Sequence, residues 1–132
     1  AALFAFIEAW WPLRHNPNVL MLHFADMKRD HEGSIRRVAV FLDVTPGADQ
    51  WPAVLEYTSF RWMKEHDIKF DGTTMGAVKV LEPGAMVRRG VAGGARDDGM
   101  TEEIAAHVRA KGREICTDEA AVRWLYEGGP LD

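Results

Sequence analysis

The sequence contains a single cysteine, Cys116, so no internal disulfide is available, and a reducing cytoplasm is the natural setting. No apolar run reaches transmembrane length. The opening residues, AALFAFIEAWWPLR, lack a basic leader and carry Glu8, unlike a secretory signal. Positive charge is not in excess either. The formal net charge is −4, so no overall field draws the chain to nucleic acid or to an anionic membrane. Any bound anion would have to be held by local cations and backbone amides. His15, His23, His31, His66 and His107 show no metal-like pairing. Cys116 has no basic cluster beside it to activate the thiol. A Walker A loop, a dinucleotide fingerprint and a Ser-His-Asp arrangement are all missing.

What remains is an ordinary globular composition. With 132 residues, 47% hydrophobic and 27% charged, the chain fits one modest domain with a limited core. It opens directly in a helical pattern, as a piece of something longer would. Residues 2–14 read as an amphipathic helix, with Leu3, Phe6, Ile7, Trp10 and Trp11 on one face, ending near Pro12. The turn RHNPN follows, then VLMLHF from Val19 to Phe24. This nearly unbroken apolar run is the pattern of a strand buried on both faces of a parallel sheet. Asp30 is placed to cap a helix to about Leu42, with a stripe of Ile35, Val38, Ala39 and Leu42. Short helices are expected through Trp51, Val54 and Leu55, and through TSFRWMKEH, the latter capped by Thr58 or Ser59. From Ile68 to Gly99 no period persists and glycines abound, which marks a functional or disordered loop. Helix resumes at Thr101, with Ile104, Ala105 and Val108 as its buried face. A last helix runs from about Thr117 to Tyr126 and stops at Gly128-Gly129-Pro130. One strand cannot make a sheet. Either a second lies in Gly76–Leu81, or its partners lie outside these residues.

Three stretches offer chemistry. In VRRGVAGGARDDGMT, Arg88 and Arg89 precede a glycine run. Two guanidinium groups beside pliant backbone suit a dianionic phosphate, but on composition alone a surface loop with solvated cations is the favoured reading, since Arg-Arg-Gly is a common tripeptide. In HFADMKRD, Phe24 would border a ligand crevice if the run before it is a sheet strand; otherwise it is core. In YTSFRWMKEH, Thr58 could cap a helix or touch a ligand, and Phe60 could stack on a base or pack in the core.

Taken together and in order, these stretches resemble one family. NPNVLMLHFADMKRD is similar to the strand-and-turn segment of PAPS-dependent sulfotransferases, usually close to NPNVLYLxYEDMKxD. YTSFRWMKEH resembles their T-S-F-x-x-M-K segment, and MVRRGVAGGARDDGMT their R-K-G-x-x-G-D-W-K-x-x-x-T signature. The match runs from about Trp10 to Thr101. The resemblance implies an α/β fold with a P-loop-like parallel sheet, of which this chain would be the mostly helical C-terminal half. It implies PAPS as sulfuryl donor, PAP as product, and a small-molecule acceptor hydroxyl or amine. Carried over by position, Arg88 and the backbone around Arg89 and Gly90 would grip the 3′-phosphate, and Thr58 and Phe60 would line the adenine pocket, with Phe60 against the base. Phe24 stands where the family commonly has a tyrosine whose hydroxyl reaches adenine. Gly94-Ala95-Arg96 replaces the usual Asp-Trp-Lys, and the segment to Thr101 is one residue longer.

The family's phosphosulfate loop, resembling T-Y-P-K-S-G-T-T-W, and its catalytic histidine do not occur in these residues. On this reading no catalytic residue lies here, and the chain's share is recognition of adenine and the 3′-phosphate. The alternative is a truncated, non-catalytic relic, or a self-associating helical domain without nucleotide binding. In that case Trp10, Trp11 and an uncovered edge of Val19–Phe24 would favour a homo-oligomer.

Overall fold

The structure is a computed structural model that describes residues 2–70, 85–87 and 89–132. It forms two compact units. One comprises Ala1–Phe41 and Ala92–Asp132, the other Leu42–Val91. The sequence candidate for a second strand, Gly76–Leu81, lies outside the described residues.

The first unit opens with α1 (Ala2–Trp10), which tightens into a 3-10 turn at Trp11–Leu13 where Pro12 enters. Then come α2 (Phe24–Arg29) and α3 (His31–Phe41). After the second unit the chain returns through the turns of residues 92–99 into α6 (Glu102–Ile115) and α7 (Glu119–Glu127). The core gathers Phe4, Ile7 and Trp11 from the first helical segment, Met21 from the stretch after it, and Cys116, Ala121, Val122 and Trp124 from the C-terminal end. The Trp11 and Trp124 rings lie 5.8 Å apart in a tilted pair. The Arg14 guanidinium covers the Trp11 ring at 4.6 Å while its Nε donates to the Leu131 carbonyl.

Local chemistry sets the helix ends. Asp30 Oδ1 accepts from Gly33 N at 2.9 Å at the start of α3, as its position predicts. Thr101 Oγ1 accepts from Ile104 N, and Asp118 Oδ1 from Ala120 N and Ala121 N. For α2 the cap is His23, an unusual choice. Its Nδ1 accepts from Ala25 N, which leaves the proton on Nε2 to be donated to the Leu125 carbonyl at 3.1 Å.

Three expectations are corrected. The run Val19–His23 is not a strand, and Phe24 already belongs to α2; among the described residues there is no β-strand at all. The main-chain groups of Leu20, Met21 and Leu22 form no hydrogen bond among the described residues, for want of a neighbouring strand. The apolar face of α1 also divides. Phe4 and Ile7 enter the core, while Leu3 and Phe6 stay 57% and 55% exposed. With Trp10, Phe41 and residues 18–24, Leu3 and Phe6 line an open groove of about 560 Å³. Finally, Ile104 and Val108 are exposed, and α6 instead buries Gly112 against the ring of Phe4.

The C-terminal turn is fastened to α2. Gly128 and Gly129 take φ of 71° and 94°, a region that glycine enters without strain. A Cβ on Gly128 would collide with the side chains of His23 and Asp26. Asp26 Oδ2 accepts from Gly129 N at 2.7 Å, and Oδ1 pairs with Arg29 Nη1 at 2.6 Å. The Gly129 amide foremost, then Arg29, holds the Asp26 carboxyl below the ordinary carboxylate range, against the opposing effect of burial. A depressed folded value means that the ionised carboxylate stabilises the fold above the unfolded value, about 4, and that this contribution fades as pH falls through the folded one. We expect Asp26→Asn to lower the unfolding midpoint at neutral pH, with the gap to wild type closing below about pH 4; thermal unfolding followed by circular dichroism from pH 7 to 3 measures it.

Candidate functional site

The second unit carries most of the residues singled out from sequence. It contains α4 (Trp51–Tyr57), α5 (Phe60–Glu65) and a 3-10 turn at Asp67–Phe70. The two helices meet at Thr58-Ser59. Thr58 ends α4, its hydroxyl donating to the Val54 carbonyl at 2.8 Å. Ser59 starts α5, its Oγ accepting from Trp62 N at 3.1 Å. Each hydroxyl thus serves one of the two helix ends, and Phe60 emerges as the first residue of α5.

Around α5 the aromatic residues form a small stack. Trp62 lies parallel to His66 with ring centroids 4.1 Å apart, touches Tyr57 at 5.1 Å, and meets Phe70 edge-on at 6.3 Å. His66 Nδ1 bonds the Trp62 carbonyl at 2.8 Å, and Lys69 lies over the indole at 5.8 Å. Such pairs add order to a unit with little enclosed apolar volume. Among its described residues only Val87 is buried, at 9% exposure.

Gly90 has φ of +60° and packs on Phe60. A Cβ at this position would fall inside the van der Waals shells of Cγ, Cδ2 and Cε2 of that ring. Two stretches thirty residues apart in the numbering, TSF and RRG, are thereby in direct contact. Arg89 projects exposed beside it, and Arg88 lies outside the described residues. Lys64 Nζ, one turn along α5 from Phe60, donates to the Val87 carbonyl at 2.7 Å. What the described residues assemble here is the exposed Arg89 on backbone whose Gly90 approaches an aromatic face closely.

Phe24, half exposed at the head of α2, belongs to the first unit. So does Arg96, which pairs with Glu102 at 3.5 Å in the turns before α6. Cys116 is buried, and burial foremost, with Glu8 next, pushes its thiol up to about 11, far from a nucleophile's range. Among the described residues no cluster of His, Cys, Asp and Glu could hold a metal, and no helix is long and apolar enough to cross a membrane. Lys64 had no place among the sequence candidates, because its partner is a main-chain carbonyl.

Gly90→Ala combines a strained φ with a steric conflict against an aromatic ring. We expect it to destabilise by about 1–3 kcal/mol, whereas Gly93→Ala, with positive φ but open space, should cost less. Denaturant melts of the two variants decide this, and equal losses would count against the Phe60 contact.

Comparison with known proteins gives a consistent answer. Residues 2–118 match the family described as the sulfotransferase domain. Mouse sulfotransferase 2A6 is 37% identical over 87 residues, covering 61% of this chain and 30% of the relative. Mouse sulfotransferase 2A2 is 36% identical over the same shares, and rat sulfotransferase 2A1 is 40% identical over 65 residues, 49% of this chain and 23% of the relative. The chain thus spans at most about 30% of the length of these relatives. No solved structure matches it. With the family match extending over most of its length, the chain belongs to the sulfotransferase family.

Proposed function

We propose that this chain supplies the adenine- and 3′-phosphate-binding part of a PAPS-dependent sulfotransferase, as the C-terminal portion of that domain. The reaction is transfer of a sulfuryl group to an acceptor hydroxyl or amine. The acceptor oxygen or nitrogen bonds to sulfur, the bond from sulfur to the phosphate oxygen breaks, PAP leaves, and the acceptor proton passes to a base. That base and the phosphosulfate loop belong to the part of the domain that these residues do not contain. The residues here bind and orient. Arg88 and Arg89 neutralise the ribose-linked phosphate, Gly90 lets backbone amides approach it, and Phe60 with Thr58 borders the base. Phe24, in the first unit, lacks the hydroxyl that the family's tyrosine offers.

The observation that carries this reading is the seating of Gly90 on Phe60, which joins the two nucleotide motifs without a ligand's help. The groove beside Val19–His23 fits the same proposal. Its unbonded main chain and the exposed side chains of α1 are what a parallel sheet would cover, and the relatives are long enough to supply that sheet. Cytoplasmic residence and a donor nucleotide with a small-molecule acceptor complete the proposal.

Calorimetric titration with PAP tests it. Saturable binding is expected, weakened roughly tenfold to a hundredfold by Arg89→Ala, the scale of one or two charge-assisted hydrogen bonds. These residues alone should catalyse no sulfuryl transfer. Absence of PAP binding together with a concentration-dependent dimer would favour a non-catalytic, self-associating protein instead.

A further inference from the structure

Helix α5 touches the cationic segment at two points. Phe60 and Lys64 are four residues apart and so share one face of the helix. Phe60 receives Gly90, the residue that follows the arginine pair, while Lys64 Nζ donates to the carbonyl of Val87, the residue that precedes it. The two contacts bracket Arg88-Arg89 in sequence. Val87 is buried, so its carbonyl has a fixed place to be held.

A lysine in the last turn of a helix ordinarily serves the helix dipole or stays in water. Lys64 does more. Its bond crosses to a carbonyl 23 positions away, at 2.7 Å, whereas the carboxylate of Asp67, its ion-pair partner among the described residues, stands at 3.9 Å. A charge-assisted bond to a main-chain carbonyl fixes backbone position, and a pre-positioned loop binds its ligand without first losing that freedom.

We propose that Lys64 is a positioning residue for the 3′-phosphate grip, acting through the Val87 carbonyl and not by touching the nucleotide. The inference rests on the nucleotide-binding reading above. It assigns the two ends of α5 different tasks: Phe60 sets where the arginine segment ends, and Lys64 sets where it begins. Loss of Lys64 leaves the arginines in the sequence but the Val87 carbonyl unheld, so the penalty falls on recognition of the phosphate and spares contacts to the base and ribose.

The experiment compares PAP with 5′-AMP, which lacks the 3′-phosphate, by calorimetry on the full 132-residue chain. In wild type PAP binds more tightly than AMP. In Lys64→Met that preference should fall roughly tenfold, the scale of one lost charge-assisted hydrogen bond, with AMP affinity unchanged. Lys64→Arg, which can still donate to the carbonyl, should recover most of it. Salt dependence separates positioning from direct contact. The slope of log affinity against log salt should stay at the wild-type value in Lys64→Met and become shallower in Arg89→Ala. An undiminished PAP preference in Lys64→Met overturns the proposal, and so does a shallower slope, which would mean that Lys64 itself meets the phosphate. If Lys64→Met fails to fold, the decision passes to Lys64→Arg and Lys64→Gln, both donors; equal loss of PAP and AMP binding in these would reduce Lys64 to a stabilising residue. A wild type that does not distinguish PAP from AMP, or an Arg89→Ala variant that binds as wild type does, removes the nucleotide-binding reading and this inference with it.

Discussion

A strand cannot satisfy its own backbone. A helix bonds each amide to a carbonyl four residues back, but an isolated extended run leaves its main-chain groups to whatever lies alongside. Much of the first unit follows from this constraint. The apolar run Val19–His23 has the composition of a doubly buried strand, yet Leu20, Met21 and Leu22 make no main-chain bonds among the described residues. Met21 still reaches the core, because side-chain burial needs no ladder. On the helix before it Leu3, Phe6 and Trp10 stay exposed and line the groove beside the same run.

What could be read from sequence sorts by the range of the interactions involved. Asp30 and Ser59 cap helices where their spacing predicts, because a cap joins residues about three positions apart. The Gly128-Gly129 terminator was visible likewise. Helix α2 was not, since it is six residues long and its cap is a histidine. The face of α1 was visible only as apolar. Periodicity states that a face avoids water, not which partner covers it, so Phe4 went unremarked and Leu3 was misplaced. The same blindness made Ile104 and Val108 look buried, where Gly112 is the residue that lets α6 approach the Phe4 ring.

At the site, motif order drew attention to Thr58, Phe60, Arg89 and Gly90, and the fold puts Phe60 against Gly90. Lys64 stood in the T-S-F-x-x-M-K motif as its last residue but without a role, because its partner is a main-chain carbonyl that sequence does not reveal. One six-residue helix thus serves three neighbours: a cap at its start, an aromatic seat for a glycine on one face, and a clamp on a buried main chain one turn later.

The order of segments along the chain has a consequence for length. The first unit is discontinuous, interrupted between Phe41 and Ala92 by the whole of the second. Its formation closes a long loop, and the entropy of closure grows only with the logarithm of loop length, by about 0.6 kcal/mol for each doubling. Residues added between these two points would therefore tax the helical core very little. The same freedom does not extend to the second unit itself, where the seat of Gly90 on Phe60 joins residues thirty positions apart.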